Sequence, residues 1–554
     1  MKVLLIPTAV LISNEMRQKF GNIPTGLFPL QDRPMLSHIY EKYKDVVDEV
    51  YAITFEKSDQ IKEYIQVKKL PIKFIHLDKL GDLGYTIRYG IKAIVDDSKI
   101  PIECVYINFA DTLLNDELCK VSNDFAFYSV KRMDSKWTWF LDDNGQLRDI
   151  LEKDSANAEN ASTKKYRKLF VGVFGISNVN LLLEELAIVD ENSNIDSFYI
   201  ALQQYSYKQQ ISFIPAKQWL DVGHNEMYNQ AKTNVAAREF NTILIDKERG
   251  ILTKKSKNTE KLINEISWYL RMPKQLQYLL PRVYEYSLDF TEPFVKMEYY
   301  GYRTLHEMLL YGDYSEAKWK SVFEKIRFLL NDMGTFKIAG RSENIKQSLW
   351  NVYIVKTKQR LEKLKNIEHF DMFFDNAIKV NGKTYWSLNE VLEMLPKYVK
   401  KYLINDGEKF FSIIHGDLCF TNILVEDSYD FLRLIDPRGN FGLFDIYGDS
   451  RYEIAKLCHS LEGKYDYIIE DMFEINVNGT DVYYKMLKDN KKIWKIFREV
   501  FATQLENIQA VRLIEAILFF SMISLHNDSL TRQYAMLATA YQLLEKVVKI
   551  DDCR

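Results

Sequence analysis

The stretch SIIHGDLCFTNILVED, residues 412–427, and the segment LRLIDPRGN just beyond it, residues 432–440, decide how this chain is read. A short apolar run delivers His415-Gly416-Asp417 into a loop, and Asn422 stands five residues after Asp417. A second apolar run, Phe431–Ile435, delivers Asp436. Phosphoryl transfer from ATP needs a carboxylate to orient or deprotonate an acceptor hydroxyl, and oxygen ligands to hold Mg²⁺ against the phosphates. Asp417 suits the first task; Asn422 and Asp436 suit the second. The plainer account is two polar strand ends closing a hairpin, with Asp and Asn satisfying loop backbone. That account leaves four polar positions in one strand–loop–strand unit to chance.

The pattern H-G-D-x-x-x-x-N followed by I-D resembles the aminoglycoside phosphotransferase and choline kinase family, over about residues 240–540. The resemblance implies a bilobal, protein-kinase-like fold, with a lysine on an upstream strand and a glutamate on the next helix. ILTKKS offers Lys254 and Lys255, and Glu265 lies in KLINEISWYL. Strand alternation puts Leu252 and Lys254 on one face, matching the family's small or apolar residue two before the lysine. This favours Lys254 and leaves Lys255 open. KMEYYGYRTL, Lys296–Leu305, resembles the hinge that hydrogen-bonds adenine, with Met297 and Glu298 near the contact. GDSRYEIAKL, with Asp449, resembles the stretch that follows the metal-binding Asp. The glycine-rich phosphate flap is replaced by the turn KERG, and His415 is expected to shape the loop rather than act as base.

Around this centre the chain has two rhythms. Before about residue 230, apolar runs such as VLLIP, EVYAITF, IKFIHL and ECVYINF alternate with helix-period segments, including PMLSHIYEKY and YTIRYGIKAIV. Such alternation predicts βαβ units and an α/β, Rossmann-like domain with a mainly parallel sheet, ligands sitting beyond the carboxyl ends of its strands. FAFYSV, WTWFL and LFVGVFGIS predict a mixed edge. From Arg238 onward a β-hairpin with Gly250 at its turn, a helix from Thr259 to Leu270 and two more strands precede a largely helical remainder. The expected division is 1–238 and 239–554, the second with a small lobe at about 239–303 and a helical lobe at about 304–554.

Within the first half, IPTAVLISNEMRQKFG, IPTGLFPLQDRPML, VYINFADTLL, VGVFGIS and WLDVGHNEMY follow one another in an order that resembles the sugar-phosphate nucleotidyltransferases. That family begins strand–A-A-G-x-G-x-R, continues to P-K-x-L-x-P-L-x-x-x-P-M, and uses an Asp after a later strand and a W-x-D-x-G. The resemblance implies that Asp111 and Asp221 are catalytic and bind metal, that Arg17 meets the nucleotide, and that a phosphate monoester attacks the α-phosphorus of a nucleoside triphosphate. Positive charge near the attacked group lowers such a barrier. Thr25 stands where the family has lysine, and Lys19 and Arg33 are other sources of charge. Locally, Asp111 also reads as a strand-end turn carboxylate, and Asp221 and His224 as the capped start of a helix NEMYNQAK.

Composition excludes several classes. The 554 residues are 47% hydrophobic and 27% charged, too apolar for a disordered chain. Net charge is −3 with no long block of one sign, which excludes a nucleic-acid stripe and a polybasic membrane patch. Cys104, Cys119, Cys419, Cys458 and Cys553 are scattered, without zinc or disulfide spacing. Pro7 interrupts the first apolar run, so a buried strand is expected there rather than a signal peptide. The apolar run Ala516–Leu525 is too short to cross a bilayer. A cytoplasmic protein without membrane insertion is expected, with Cys458 and His459 as core or face residues of a helix. Only 22 glycines, against about 7% in an average chain, accompany 35 Tyr and 32 Phe, so few backbone loops can lie directly on phosphates.

A kinase makes a phosphate monoester and a nucleotidyltransferase consumes one. By resemblance to similar bacterial fusions, the expectation is a bifunctional enzyme of surface-polysaccharide precursor synthesis, acting on a sugar or polyol with ATP, Mg²⁺ and a second nucleoside triphosphate, CTP favoured. An alternative order stays open, in which the phosphorylated substrate comes from elsewhere and the kinase acts on something different. Two further alternatives stay open: a kinase whose first domain only binds nucleotide, and a non-catalytic pseudokinase scaffold.

Overall fold

The computed structural model describes residues 1–30, 33–118, 124–130, 137–151, 168–189, 195–223, 241–246, 248–338, 341–426, 428 and 431–552. His224, Cys119, Cys553 and the expected boundary at residue 238 lie outside the described residues. The chain forms two units: Met1–Asn234 with Tyr311–Asp313, and Val235–Leu310 with Tyr314–Arg554.

In the first unit, β1 (Lys2–Pro7) is apolar on both faces and must be covered on both. Val3, Leu4, Leu5 and Ile6 are fully buried. β1 pairs in parallel with β2 (Glu49–Thr54) on one side, and β2 pairs in parallel with β3 (Ile72–His76). On its other side β1 pairs in parallel with β4 (Cys104–Asn108). The helices α1 (Asn14–Phe20), α2 (Met35–Tyr43), α3 (Ser58–Val67) and α4 (Leu83–Asp97) fill the connections. Ile87, Ile91 and Ile94 of α4 bury one stripe against Val3, Leu5 and Ile53.

Beyond β4 the sheet changes direction. A short strand β5 (Thr112–Leu114) precedes β6 (Phe125–Ser129), β7 (Trp139–Asp143), β8 (Gln146–Leu151) and β9 (Lys168–Ile176). The nine-stranded sheet runs β8-β7-β9-β4-β1-β2-β3, with β6 beside β9 and β10 (Ser212–Pro215) beside β6. The β4–β9, β9–β7 and β8–β7 pairs are antiparallel. The continuous parallel run therefore covers four of the nine strands, and the mixed edge, which includes the parallel β6–β10 pair, covers the other five.

The second unit opens with β12 (Asn241–Asp246) and β13 (Ile251–Ser256), after β11 (Trp219–Asp221) of the first unit. Helix α5 (Thr259–Arg271) follows, then β14 (Val283–Ser287) and β15 (Phe294–Glu298), giving an antiparallel sheet ordered β12-β13-β15-β14. Helices dominate afterwards, among them α6 (Glu316–Thr335), α7 (Ser450–Leu461), α8 (Ile508–Met522) and α9 (Leu530–Asp552). The window Ile508–Leu525 is long and apolar enough to cross a membrane, with mean hydropathy 1.8, yet 72% of it is buried inside the fold.

The helical region also holds a sheet that the helical reading passes over. Lys383–Thr384, Lys379–Val380, Asp481–Met486 and Phe473–Asn478 form four strands in that order. Its turns are Asn381-Gly382, with φ 51° and 81°, and Gly479-Thr480, with Gly479 at φ 57°. Asn381, Gly382 and Gly479 thus take the positive φ that two-residue hairpin turns use.

Candidate functional site

In the first unit Asp111 follows β4, beyond the carboxyl end of that parallel strand. Asn108, buried, shapes the turn: its Nδ2 donates to Phe109 O at 2.8 Å and Thr112 O at 3.0 Å. The next strand, β5, pairs antiparallel with β11, setting Asp221 opposite Thr112. Val222 N donates to Asp111 O at 2.9 Å, which completes the junction.

The two carboxylates converge on Gly223. A Cβ on that glycine would lie 2.7 Å from Asp111 Oδ2 and 3.3 Å from Asp221 Oδ1. Two hard oxygens about one small space suit Mg²⁺. Gly223 N donates to Asp221 Oδ1 at 2.8 Å, and Trp137 Nε1 donates to Asp221 Oδ2 at 2.6 Å. The Trp137 ring meets Trp219 edge-on at 6.0 Å. Nothing in the sequence pattern singles out Trp137, which reaches the site from the bend just before β7.

The loop before α1 borders this pair, because Ser13 Oγ donates to Gly223 O at 3.3 Å. Arg17 lies in α1 and spends its Nε on Ile12 O at 2.8 Å. Thr25 Oγ1 donates to Val10 O at 2.9 Å, so it closes the loop on itself. Lys19 is half-buried on α1, and Arg33 is exposed.

In the second unit β13 turns Lys254 inward and Lys255 outward. Lys254 Nζ donates to Glu265 Oε2 at 2.8 Å and to Asp436 Oδ1 at 2.7 Å. Lys255 is exposed and pairs with Glu292 at 2.9 Å. Burial, with the charge of Asp436 added, pushes the Glu265 carboxyl up to about 7. Against its own burial, Lys254 is held above its ordinary value by Asp436 and Glu265.

Glu265, Trp268 and Tyr269 share one face of α5, spaced three and four residues apart. Trp268 Nε1 donates to Ile414 O at 2.7 Å, and Tyr269 OH accepts from Asp436 N at 3.2 Å. Asp436 itself has φ 56°, a left-handed conformation unusual outside glycine. Gly439, at φ 72°, passes α5 so closely that a Cβ would meet Asn264 O at 2.0 Å.

β16 (Phe411–Ile413) leads into the His415 loop, and β17 (Ile423–Val425) pairs antiparallel with β18 (Leu432–Leu434). Ile435 N donates to Asn422 O at 3.1 Å, so Asn422 and Asp436 share one end of that hairpin. Asn422 Nδ2 donates to Asp417 O at 2.8 Å, which turns its amide oxygen away from the loop backbone. The residues fit an oxygen-liganded cation, because half of the Asp436 side-chain surface, 49%, stays exposed beside Lys254.

His415 is fixed as a neutral ring. Asp417 N donates to its Nδ1 at 3.3 Å, which makes Nε2–H the donor to Ile435 O at 3.0 Å. Burial pushes its pKa down to about 4. Asp417 Oδ1 lies 2.7 Å from Lys456 Nζ. Burial works against the carboxylate, but the Lys456 charge outweighs it and lowers Asp417 to about 2.

Helix α7 holds this loop. Glu453, buried, accepts from His415 N at 3.1 Å and Gly416 N at 2.9 Å. Burial pushes its carboxyl up to about 7. Asp449 caps α7 and is bound by Arg451 at 2.8 Å and by Tyr353 OH at 3.0 Å, so it is spent on packing. Cys458 and His459 are buried on the same helix. Glu453 and Lys456 stand in the quoted YEIAKL, where two charges three residues apart among Tyr, Ile, Ala and Leu are the only local signal for them.

Met297 of β15 is buried and pairs across the sheet with Leu252. The amides of Glu298 and Tyr299 donate to Arg282 O and Gly250 O at 2.9 and 2.8 Å. Glu298 also accepts from Tyr300 OH. Among the described residues no three His, Cys, Asp or Glu side chains gather as a metal cluster.

No protein-family model matches the chain. The bifunctional protein GlmU of Methanocaldococcus jannaschii is 31% identical over 157 residues, 28% of this chain and 37% of that protein. The chain thus matches little more than a third of that relative's length. Similar solved structures include the CTP:phosphocholine cytidylyltransferase LicC of Streptococcus pneumoniae, at 13% identity over 42% of this chain and 97% of that one, TM-score 0.33. The inositol-1-phosphate CTP transferase of T. maritima has 13% identity over 43% of this chain and 98% of that one, TM-score 0.32. The amino-terminal region is an α/β domain, and the chain is similar over 157 residues to part of that GlmU protein.

Proposed function

We propose that the chain carries two transferases, a nucleotidyltransferase in its first unit and an ATP-dependent small-molecule kinase in its second, serving the synthesis of a surface-polysaccharide precursor. In the first, a phosphate oxygen of a sugar or polyol phosphate attacks the α-phosphorus of CTP or another nucleoside triphosphate. The new P–O bond forms as the bond to the bridging oxygen breaks, and pyrophosphate leaves. In the second, an acceptor hydroxyl attacks the γ-phosphorus of ATP and ADP leaves. Mg²⁺ would supply charge neutralisation at both phosphates, held by Asp111 and Asp221 in one unit and by Asn422 and Asp436 in the other.

Convergence of the Asp111 and Asp221 carboxylates on Gly223 is the observation that carries the first activity. The kinase reading is supported by Lys254 lying between Glu265 and Asp436, with Asp417 on the adjoining loop. With its pKa near 2, Asp417 is a weak base, so its proposed role is to orient the hydroxyl as its proton is lost. Arg17, Met297 and Glu298 are the proposed nucleotide contacts. A second reading, in which the first unit only binds nucleotide, is favoured by Thr25, whose hydroxyl is turned to Val10 O where the resembled family has an ammonium.

Incubation with ATP, CTP, Mg²⁺ and pooled free and phosphorylated polyols, followed by mass spectrometry, tests all of this. ADP, pyrophosphate and a cytidine diphosphate conjugate are the expected products. Silence with every nucleoside triphosphate, unaltered by Asp111→Ala, would overturn the first activity, and a failure to consume ATP would overturn the second.

A further inference from the structure

Resting on the kinase reading of the second unit, we infer that Lys456 is a positioning residue of phosphoryl transfer, fixing the Asp417 carboxylate from outside the loop that carries it. The four residues between Asp417 and Asn422 are Leu418, Cys419, Phe420 and Thr421, so the loop has no cation of its own. The ammonium arrives instead from α7, at 2.7 Å from Asp417 Oδ1.

The geometry gives the pair a direction. The Lys456 side chain is 9% exposed and that of Asp417 38%, so the lysine backs the carboxylate while the carboxylate meets solvent. With Oδ1 taken by Lys456, Oδ2 is the oxygen presented to an incoming hydroxyl. One turn earlier on the same helical face, Glu453 holds the amides of His415 and Gly416. Helix α7 therefore fixes both the backbone and the side chain of the reacting loop, three residues apart.

Stability alone does not account for an ammonium at this place. A buried ion pair is commonly replaced by apolar side chains of similar volume without loss, because desolvating two charges offsets their attraction. An orienting role does account for it, since a carboxylate free to rotate would hold the acceptor in the reactive geometry only part of the time.

Steady-state ADP formation by the full chain, with whichever acceptor the wild type phosphorylates, tests the assignment in Lys456→Met and Lys456→Arg. Lys456→Met is expected to lower kcat about 10- to 100-fold with the KM for ATP within about twofold, and Lys456→Arg to recover most of the loss. An unchanged kcat in Lys456→Met, or a fall confined to thermal stability, overturns the assignment. If Lys456→Met does not fold, Lys456→Gln keeps a hydrogen-bond donor without the charge; turnover equal to wild type there overturns it as well. A wild-type chain that consumes no ATP over the acceptor panel overturns the kinase reading itself, and the role of Lys456 with it.

Discussion

Lys254 donates to both oxygens of Glu265, at 2.9 and 2.8 Å, with the two side chains 7% and 3% exposed. Removing one partner of such a pair leaves a buried charge uncompensated, at a cost of about 3–5 kcal/mol. Lys254→Met, which also leaves Asp436 facing Glu265, should therefore denature at markedly lower urea and lose ATP turnover. Lys255→Met breaks only an exposed pair with Glu292 and should stay within about 0.5 kcal/mol of wild type. Urea denaturation and ADP formation, measured on both variants, separate the two lysines.

Asp111→Asn and Asp221→Asn each remove one charge from the Gly223 space. Pyrophosphate release should fall at least about 100-fold in each, while ADP formation by the second unit persists. Equal loss of both activities would point to unfolding instead.

Gly223→Ala places a methyl group 2.7 Å from Asp111 Oδ2. It should raise the Mg²⁺ concentration needed for half-maximal nucleotidyl transfer about tenfold or more, at near-native thermal stability. Titration of activity against Mg²⁺ reads this directly.

The indole N–H of Trp137 is 2.6 Å from Asp221 Oδ2, so a cation drawn to that carboxylate should change the indole's surroundings. Addition of Mg²⁺ with CTP is expected to shift intrinsic fluorescence in the wild type, and the shift should shrink in Trp137→Phe.

His415 gives a signed pH dependence. Its folded pKa is about 4, against an ordinary 6.5. Between those values the unfolded chain binds a proton that the folded chain refuses, so this contribution is complete above pH 6.5 and is lost as pH falls toward 4. At about 1.4 kcal/mol per unit the full effect is about 3 kcal/mol. Glu265 and Glu453, both raised to about 7, act in the opposite sense, favouring the folded chain as pH drops from 7 toward 4.5. The difference in urea midpoint between wild type and His415→Gln across pH 7 to 4.5 isolates the histidine.

Local pattern carried much of this in advance. The all-apolar VLLIP signals a strand covered on both faces, and β1 lies in the middle of its sheet. Alternation along ILTKKS separates Lys254 from Lys255, because a strand has only two faces. The hairpins at Asn381-Gly382 and Gly479-Thr480 carry turn residues but were passed over, because their strands lie among helices and are joined through Lys379–Val380 and Asp481–Met486, about a hundred residues apart. Trp137, Glu453 and Lys456 were not singled out, because each acts through a partner 84, 38 or 39 residues away, beyond the reach of helix or strand periodicity.

The short β5–β11 ladder has a consequence for how the first unit is made. On the ribosome, a chain that has emerged through β5 already holds the four-strand parallel run and Asp111, but Asp221 is still unsynthesised. The carboxylate pair comes into being only when β11 returns to β5, after every strand of the nine-stranded sheet has been translated. The ladder joins residues 112 and 221, and pairings of such long sequence separation form slowly. The carboxylate pair at Gly223 thus marks completion of the first unit: a stalled chain lacking β11 cannot assemble it, however much of the sheet is already paired.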